Sequence, residues 1–135
     1  MLPATFKLEI ATPERLLVSA EVKEAQIPGE GGYLGILPGH APLLSALQPG
    51  VISYGGQGHT ERLVVTWGYV EVLPTRVTVL AEAAEKVEEV DVGRAEKALQ
   101  RAVERLKKSS VDVDVARAQA AVRRASARLH GVGKL

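Results

Sequence analysis

The chain has 135 residues, of which 46% are apolar and 24% are charged, a composition typical of one soluble globular domain or two small ones. It has no cysteine, which excludes disulfides and thiol chemistry, and its three histidines lack the spacing of metal ligands. No apolar run approaches the roughly 18 residues of a membrane-spanning helix, and no signal-peptide pattern opens the chain, so we expect neither membrane insertion nor secretion.

The net charge of +1 conceals an uneven distribution along the chain. Residues 1–90 carry six Lys or Arg against eleven Asp or Glu, a balance of −5. Residues 91–135 carry eleven Lys or Arg against five Asp or Glu, a balance of +6. This asymmetry predicts an acidic partner for the C-terminal part, which a protein, a nucleotide or a nucleic acid could each supply.

The first part of the chain has the period of β-strands. Phe6, Leu8 and Ile10 alternate with polar residues, and the same period-two pattern recurs in the segments that follow. Prolines and glycines interrupt the pattern at short intervals and leave no room for crossover helices. Residues 1–90 are therefore predicted to form an antiparallel β-sandwich or flattened barrel. The single tryptophan, Trp67, is interpreted as a packing residue, with an interface role as the alternative.

The pattern changes to a helical period at about Asp91. The residues SSVD at 109–112 supply a turn and an N-cap, and Gly131 is the expected C-terminal stop. Residues 91–135 are therefore predicted to form an antiparallel two-helix hairpin. Alanine is the most frequent residue in its apolar stripes and large residues are few, so the hairpin buries little area and is expected to separate and reclose. The stripe positions are Ala95, Ala98, Leu99, Ala102, Val103 and Leu106 in the first helix and Val115, Ala118, Val122, Ala125 and Leu129 in the second.

The sequence contains no motif of a catalytic site. It has no phosphate-binding GxxxxGK[ST] loop, no nucleophilic serine elbow, and no cluster of histidines or carboxylates with ligand spacing. An acidic run from Glu82 to Asp91 precedes the first helix, where carboxylates favour the positive end of the helix dipole. The run is interpreted as a solvated connector, and the chain is predicted to be neither an enzyme nor a metal-binding protein.

A segment rich in turn residues, IPGEGGYLGILPGHAPLL at 27–44, contains five glycines and three prolines. Together with PGV at 49–51 and the later segments WGYVEV and VTVLAEAAE, it resembles the epsilon subunit of the bacterial F-type ATP synthase, the counterpart of chloroplast epsilon and mitochondrial delta. The resemblance implies a non-catalytic rotor subunit of the central stalk, which couples proton flow to ATP synthesis and inhibits ATP hydrolysis through its C-terminal helices. It also implies a peripheral position on the cytoplasmic face of the bacterial cell membrane, reached only through the complex.

Many bacterial members of this family bind ATP in the closed hairpin through a segment [IL]-D-x-x-[RK]-A, which VDVGRA at 90–95 resembles. The resemblance implies ATP as a regulatory ligand and no required cofactor. Two arginines of the second helix, four residues apart on one face, could reach phosphate oxygens together. A purely structural alternative makes Asp91 an N-cap that pairs with Arg94. The residues implied for nucleotide binding are Glu85, Asp91, Arg94, Ala95, Arg124 and Arg128.

The resemblance also implies partners, namely the gamma subunit, the c-ring, and the alpha and beta subunits. In the family, the loop that leads into LGILPGH faces the c-ring, and His40 is expected near the same interface. The extended helices meet an acidic segment of the beta subunits, to which the basic balance of the hairpin is complementary. The implied c-ring residues are Glu30, Gly31, Gly32 and Tyr33, and the implied inhibitory residues are Arg101, Arg105, Lys107, Lys108, Arg117 and Arg123.

A hypothesis from another class is a nucleic-acid or scaffold adaptor that uses the basic hairpin. Against it, the hairpin lacks aromatic residues on which bases stack, and its arginines are interleaved with alanines of the packing seam. The preferred hypothesis therefore predicts no nucleic-acid partner.

Overall fold

Ten β-strands and then two α-helices follow one another in a computed structural model that describes residues 2–56, 58–108 and 114–135. The predicted fold class, a β-sandwich followed by two helices, is confirmed. After a 3₁₀ turn at Val87–Glu89, the helices are α1 (Val92–Lys107) and α2 (Val115–Gly131). The strands are β1 (Phe6–Ala11), β2 (Leu16–Val22), β3 (Glu24–Gly29), β4 (Gly32–Ile36), β5 (Leu43–Leu47), β6 (Gly50–Gly56), β7 (His59–Val65), β8 (Gly68–Leu73), β9 (Arg76–Ala81) and β10 (Ala84–Lys86).

The strands form one continuous sheet that folds over into two layers. Its order is β10-β7-β6-β3-β5-β8-β9-β1-β2, and β4 pairs with β3. Because β3 and β5 share a single register pair, Gly29 with Leu47, the sheet bends between them. One layer therefore contains β10, β7, β6, β3 and β4, and the other contains β5, β8, β9, β1 and β2. β2 leads directly into β3 through Lys23, whose backbone N–H donates to the carbonyl of Gly55 in β6 at 2.8 Å, next to the β3–β6 pair of Glu24 and Gly55.

The core lies between the two layers, because alternate residues of each strand point inward. Phe6, Leu8 and Ile10 of β1 are buried, as are Val77 and Val79 of the neighbouring β9. Each such side chain contributes roughly 1.5–3 kcal/mol through burial. The period-two pattern of the sequence therefore identifies the residues that hold the sandwich together.

One strand pair departs from the antiparallel prediction. β1 lies parallel to β9, with Leu8 opposite Val77 and Ile10 opposite Val79. A hairpin connection makes neighbouring strands antiparallel, but β1 and β9 are separated by most of the sandwich sequence and are free of that constraint. The other pairs between described strands are antiparallel, as predicted.

The helices form a further layer against one face of the sandwich. α2 packs on β6 and β7, and α1 packs on α2. The buried side chains along the helices are small, including Ala95 and Ala102 of α1 and Ala118 and Ala125 of α2. The alanine seam predicted from the sequence is thus present, whereas the division of the chain into domains at residue 90 stays a prediction.

Both helices begin at an aspartate. The carboxylate of Asp91 accepts a hydrogen bond from the backbone N–H of Arg94, and that of Asp114 accepts one from Arg117, each at 3.0 Å. These are N-caps, which satisfy backbone donors that have no partner within the helix. The first cap lies where the sequence predicted it. The second is Asp114, and the SSVD turn predicted at 109–112 lies outside the described residues.

The end of α2 differs from the prediction by two residues. The helix continues through Gly131, and Gly133, with φ +78°, is the left-handed residue that stops it. The N–H of Gly133 donates to the carbonyl of His130 at 3.1 Å, and the N–H of Lys134 donates to that of Leu129 at 2.8 Å. This is a Schellman motif, in which glycine adopts the positive φ without a Cβ penalty.

Candidate functional site

A cavity of about 330 Å³ lies where β10, the start of α1 and the end of α2 meet. Five of the six residues that the sequence suggested for nucleotide binding line it. A volume in this range is sufficient for a small ligand. The lining residues are Glu85, Glu89, Asp91, Arg94, Ala95, Ala98 and Arg128.

Three elements, β10, α1 and α2, position the charged side chains Glu85, Arg94 and Arg128. β10 pairs with β7 and places Glu85 opposite Val64 at the edge of the sheet. The cap at Asp91 fixes the first turn of α1 and therefore the position of Arg94. Arg128 lies in the last turn of α2 and reaches back across the junction to the sheet.

The cavity contains three carboxylates and two guanidiniums, and several of these groups are already paired. Arg128 Nε donates to Glu85 Oε1 at 2.6 Å, and both side chains are about one-third exposed or less, at 34% and 27%. The backbone N–H of Lys86 and the nearby charge of Arg15 hold the pKa of the Glu89 carboxyl below its usual range. An anionic ligand would have to displace Glu85 to bind Nε of Arg128, whereas the hydrogen bond to Glu85 does not use the Nη groups.

Arg124, the sixth residue, contacts Trp67 instead of the cavity. Its Cζ lies 5.7 Å from the centroid of the indole ring, and the Cζ of Arg123 lies 5.5 Å from the same ring. The sequence interpretation of Trp67 as a packing residue of the sandwich is therefore wrong, because the half-buried indole lies at the junction with α2. The contact of this tryptophan with a basic helix can be recognised only after the two elements are placed together.

The candidate c-ring residues lie in and after the turn between β3 and β4. Glu30, Gly31 and Gly32 are exposed, and the phenol oxygen of Tyr33 accepts the backbone N–H of Val51 at 3.0 Å. His40 follows the other end of β4, so the structure does not bring it together with this turn. An interface that includes both would have to extend along the length of β4.

The candidate inhibitory residues divide into two groups. Arg101, Arg105, Lys107 and Lys108 of the α1 region and Arg117 of α2 are exposed. Arg123 is exposed as well, but its guanidinium also contacts Trp67 and donates to the side-chain oxygen of Gln48. Most of this basic surface is therefore accessible while the hairpin lies against the sandwich, but Arg123 is occupied.

Sequence reasoning missed an apolar surface on the outer face of the second layer. Leu44 of β5, Tyr69 of β8 and Leu80 of β9 are 70%, 63% and 59% exposed. Tyr69 is opposite Leu80 in register, and a groove of about 610 Å³ next to them also includes Trp67 and Gln48. In the sequence, this surface was indicated by large apolar residues at those positions of the period-two strands that point away from the core.

The described ranges contain neither a metal-binding cluster nor a membrane-spanning helix. No group of three or more His, Cys, Asp or Glu side chains there could hold a metal ion. None of the helices in that part of the chain combines the length and apolar character of a membrane span.

Comparison with protein families accounts for nearly the whole chain. The family model for the ATP synthase delta/epsilon chain, beta-sandwich domain, matches residues 5–87. The model for the ATP synthase delta/epsilon chain, long alpha-helix domain, matches residues 88–132. The chain belongs to the ATP synthase delta/epsilon chain family. The resemblance inferred from the loop segment is therefore confirmed.

Relatives within the delta/epsilon family are similar over long stretches. The ATP synthase epsilon chain of Desulforudis audaxviator is 50% identical over 135 residues, which cover 100% of this chain and 98% of that protein. The epsilon chain of Koribacter versatilis is 55% identical over 105 residues, covering 78% of this chain and 74% of that protein. A chain in the Euglena gracilis mitochondrial ATP synthase structure (OSCP/F1/c-ring) has a TM-score of 0.84 at 22% identity, with 93% of this chain and 80% of that one covered. At that identity, the structural likeness shows the shared fold.

Proposed function

We propose that the chain is the epsilon-type subunit of the F1 part of a proton-translocating ATP synthase. It is a non-catalytic subunit of the central stalk and works through contacts with other subunits. The observation that carries this proposal is the 50% identity to an epsilon chain over all 135 residues. The order of sandwich and helices agrees with it.

The sandwich supplies two surfaces for rotor partners. The outer apolar surface at Leu44, Tyr69 and Leu80 is suited to the gamma subunit, since large exposed apolar patches commonly mark protein interfaces. The exposed turn at Glu30 and Gly31 is suited to the c-ring. Through these contacts the subunit rotates with the ring on the cytoplasmic face of the membrane and couples proton flow to ATP synthesis.

The hairpin acts as a brake on ATP hydrolysis. Its exposed basic residues on α1 are complementary to an acidic segment of the catalytic beta subunits, so docking there is electrostatically favourable. To reach that segment, the hairpin must leave the sandwich. The small side chains in its seam make that separation less costly than the separation of a leucine-rich interface.

ATP is the proposed regulatory ligand of the cavity between the two helices. Arg94 and Arg128 are suited to phosphate oxygens, and Asp91 can accept hydrogen bonds from the sugar or base. Because the lining residues come from both helices and β10, a bound nucleotide stabilises the closed arrangement. Arg124 would join the site only after it leaves Trp67.

The braking role is tested by charge reversal in the assembled complex. Replacing Arg101, Arg105, Lys107 and Lys108 with glutamate should raise the rate of ATP hydrolysis, because attraction to an acidic partner becomes repulsion. Exchanging lysine and arginine at the same four positions keeps the charge and is the matched control. Equal hydrolysis in the glutamate variant, the control and the original complex would contradict the brake.

Nucleotide binding is tested separately by calorimetry on the isolated chain. The Arg124→Ala/Arg128→Ala variant should lose ATP affinity, whereas Arg101→Ala/Arg105→Ala should retain it. The control removes two arginines with the same four-residue spacing from surface positions outside the cavity. Absence of binding heat at millimolar ATP in the unmodified chain would contradict the nucleotide proposal and leave the subunit assignment intact.

A further inference from the structure

Trp67 lies at the junction between β7 and β8, and its backbone is anchored there. Its backbone carbonyl accepts the N–H of Glu82 at 2.6 Å, and the hydroxyl of the preceding Thr66 accepts the N–H of Ala83 at 3.0 Å. These bonds join the backbone at Trp67 to the segment that follows β9. The sandwich therefore presents the indole at a defined place on the sheet, where α2 docks.

Two cations of α2 lie against this one ring. The guanidiniums of Arg123 and Arg124 are 5.5 Å and 5.7 Å from its centroid, inside the roughly 6 Å over which a cation is attracted by an aromatic face. Such contacts occur about once per 70–80 residues in proteins. In the described residues both of them fall on the same indole, so they concentrate at the contact between the helix and the sheet.

The apolar contact at the same place is made by small residues of α2 over Val51 and Val64, which are buried in the sheet. The buried residues of α2 are mostly alanine, and Gly131 packs on the sheet without a side chain. Polar contacts supply the rest: Arg123 also donates to Gln48, and Arg62 Nη1 donates to the carbonyl of Gly131 at 3.1 Å. The arginine contacts with Trp67 therefore add to the apolar and polar contacts that hold α2 in place.

We propose that Trp67, Arg123 and Arg124 form a latch that holds the hairpin on the sandwich when no nucleotide is bound. Breaking the latch releases α2 and uncovers the sheet residues beneath it, while the core between the two layers remains closed. Trp67 and Arg123 do not line the cavity assigned to nucleotide, whereas Arg124 is shared with the proposed nucleotide site. Variants of Trp67 and of Arg123 therefore test the latch apart from nucleotide binding. Its regulatory consequence rests on the proposed braking role.

Release can be measured by the reactivity of a cysteine placed under α2. The chain has no cysteine of its own, and Val64, 3% exposed, lies where Gly131 of α2 approaches the sheet. In a Val64→Cys background without nucleotide, Arg123→Ala/Arg124→Ala should raise the rate of thiol alkylation about tenfold. Val72→Cys, which is buried in the sandwich core, reports global unfolding, and its alkylation rate should not change.

Three further variants separate the latch from general loss of charge or packing. Arg101→Ala/Arg105→Ala removes two exposed guanidiniums from α1 and should leave the Val64→Cys rate unchanged. Arg123→Lys/Arg124→Lys keeps two cations and should retain most of the protection. Trp67→Leu should accelerate alkylation, and adding it to the double alanine variant should give little further increase, because both changes remove the same contact. If Trp67→Leu does not fold, the arginine variants decide the question.

Equal Val64→Cys alkylation rates in the unmodified and double alanine backgrounds would overturn the latch. In the assembled complex, Trp67→Leu should lower ATP hydrolysis, because the hairpin is released more often and its basic residues are unchanged. Faster alkylation with unchanged hydrolysis would support the latch and contradict the braking role. The two proposals can therefore fail separately.

Discussion

Gly131 and Gly93 are both helical glycines, but their surroundings differ. A Cβ on Gly131 would lie 2.7 Å from Val64 Cγ2, too close for an ordinary contact between a helix and a sheet. A Cβ on Gly93 would meet only Asp91 Oδ1, at 3.8 Å. The first glycine permits close docking of α2, whereas the second lies in open space at the start of α1.

The same substitution at these two positions should therefore have opposite effects. Gly131→Ala should weaken docking of α2 by about 1–3 kcal/mol through overpacking. Gly93→Ala should stabilise α1 by up to about 1 kcal/mol, because alanine has the higher helix propensity. Urea unfolding followed by helical circular dichroism measures both. Adding Val64→Ala should recover part of the Gly131→Ala loss, and a failure to do so would contradict the steric explanation.

Glu89 makes a pH-dependent link between the 3₁₀ turn and the loop after β1. Its carboxylate accepts the N–H of Lys86 at 2.9 Å and pairs with Arg15 at 3.4 Å, and these contacts lower its pKa. A lowered folded-state pKa gives stabilisation that is present above the unfolded-state pKa and is lost as the pH falls through the folded-state pKa. The link should therefore weaken under acidic conditions.

NMR titration of the Glu89 carboxyl measures this link directly. Arg15→Ala should move the pKa of Glu89 part of the way back towards its usual range, since the hydrogen bond from Lys86 remains. Arg76→Ala removes an arginine that pairs with Glu9 elsewhere and should leave the Glu89 titration unchanged. Equal pKa values of Glu89 in the Arg15→Ala variant and the unmodified chain would exclude Arg15 as a cause.

The residue scale also shows where sequence reasoning stops. The spacing of Arg124 and Arg128 correctly places them near each other on α2, but it does not distinguish a cavity from an indole ring as the partner. Arginine has a long, flexible side chain, so its contacts depend on which groups the fold brings within reach. Trp67 and Arg124 are far apart in sequence, and no local pattern links them.

At the scale of elements, the N-caps of the two helices form a matched pair. Asp91 borders the cavity proposed for ATP, whereas Asp114 caps α2 outside it. Asp91→Ala and Asp114→Ala should each destabilise their helix by about 1 kcal/mol. Asp91→Asn should retain the cap, because asparagine caps as well as aspartate, while removing the carboxylate.

Calorimetry with ATP then separates the two roles of Asp91. If its carboxylate binds nucleotide, Asp91→Asn should weaken ATP binding although the helix stays capped, and Asp114→Asn should not. If ATP affinity follows helix stability in all four variants, Asp91 is only a cap. Helix content from circular dichroism is the accompanying measurement.

Element boundaries were predictable only where local chemistry determines them. Asp91 is the sole capping residue at the point where the period changes, so the start of α1 was predicted. The C-terminus of α2 offered both Gly131 and Gly133, and the wrong one was expected. Packing on Val64 explains why Gly131 is glycine, and that reason lies in the sheet rather than in the helix.

At the scale of the whole molecule, the core of the sandwich is built from the β-strands alone. The contiguous buried cluster runs from Phe6 to Ala81 and contains no helical residue. A fragment of residues 1–90 should therefore fold and still assemble with the gamma subunit, although Val51 and Val64 would lose the cover of α2. Circular dichroism and co-purification measure the two properties. An unfolded fragment would contradict the division at residue 90.

Contacts between segments that are distant in sequence are the part of the fold that could not be predicted. The period-two and helical patterns predicted both layers of the sandwich and both helices, because these patterns are local. The parallel pairing of β1 with β9 and the docking of α2 on β6 and β7 join segments that are distant in sequence. Neither follows from the order of elements alone, and both determine where the candidate site lies.

The position of the single tryptophan gives the molecule a built-in optical reporter. Indole emission responds to neighbouring charges and to water, and departure of Arg123 and Arg124 changes both. With no other tryptophan in the chain, every change in this emission comes from the docking site. Stopped-flow fluorescence of the unlabelled protein should therefore time the departure and return of the hairpin, even within an assembled rotor whose other subunits lack tryptophan.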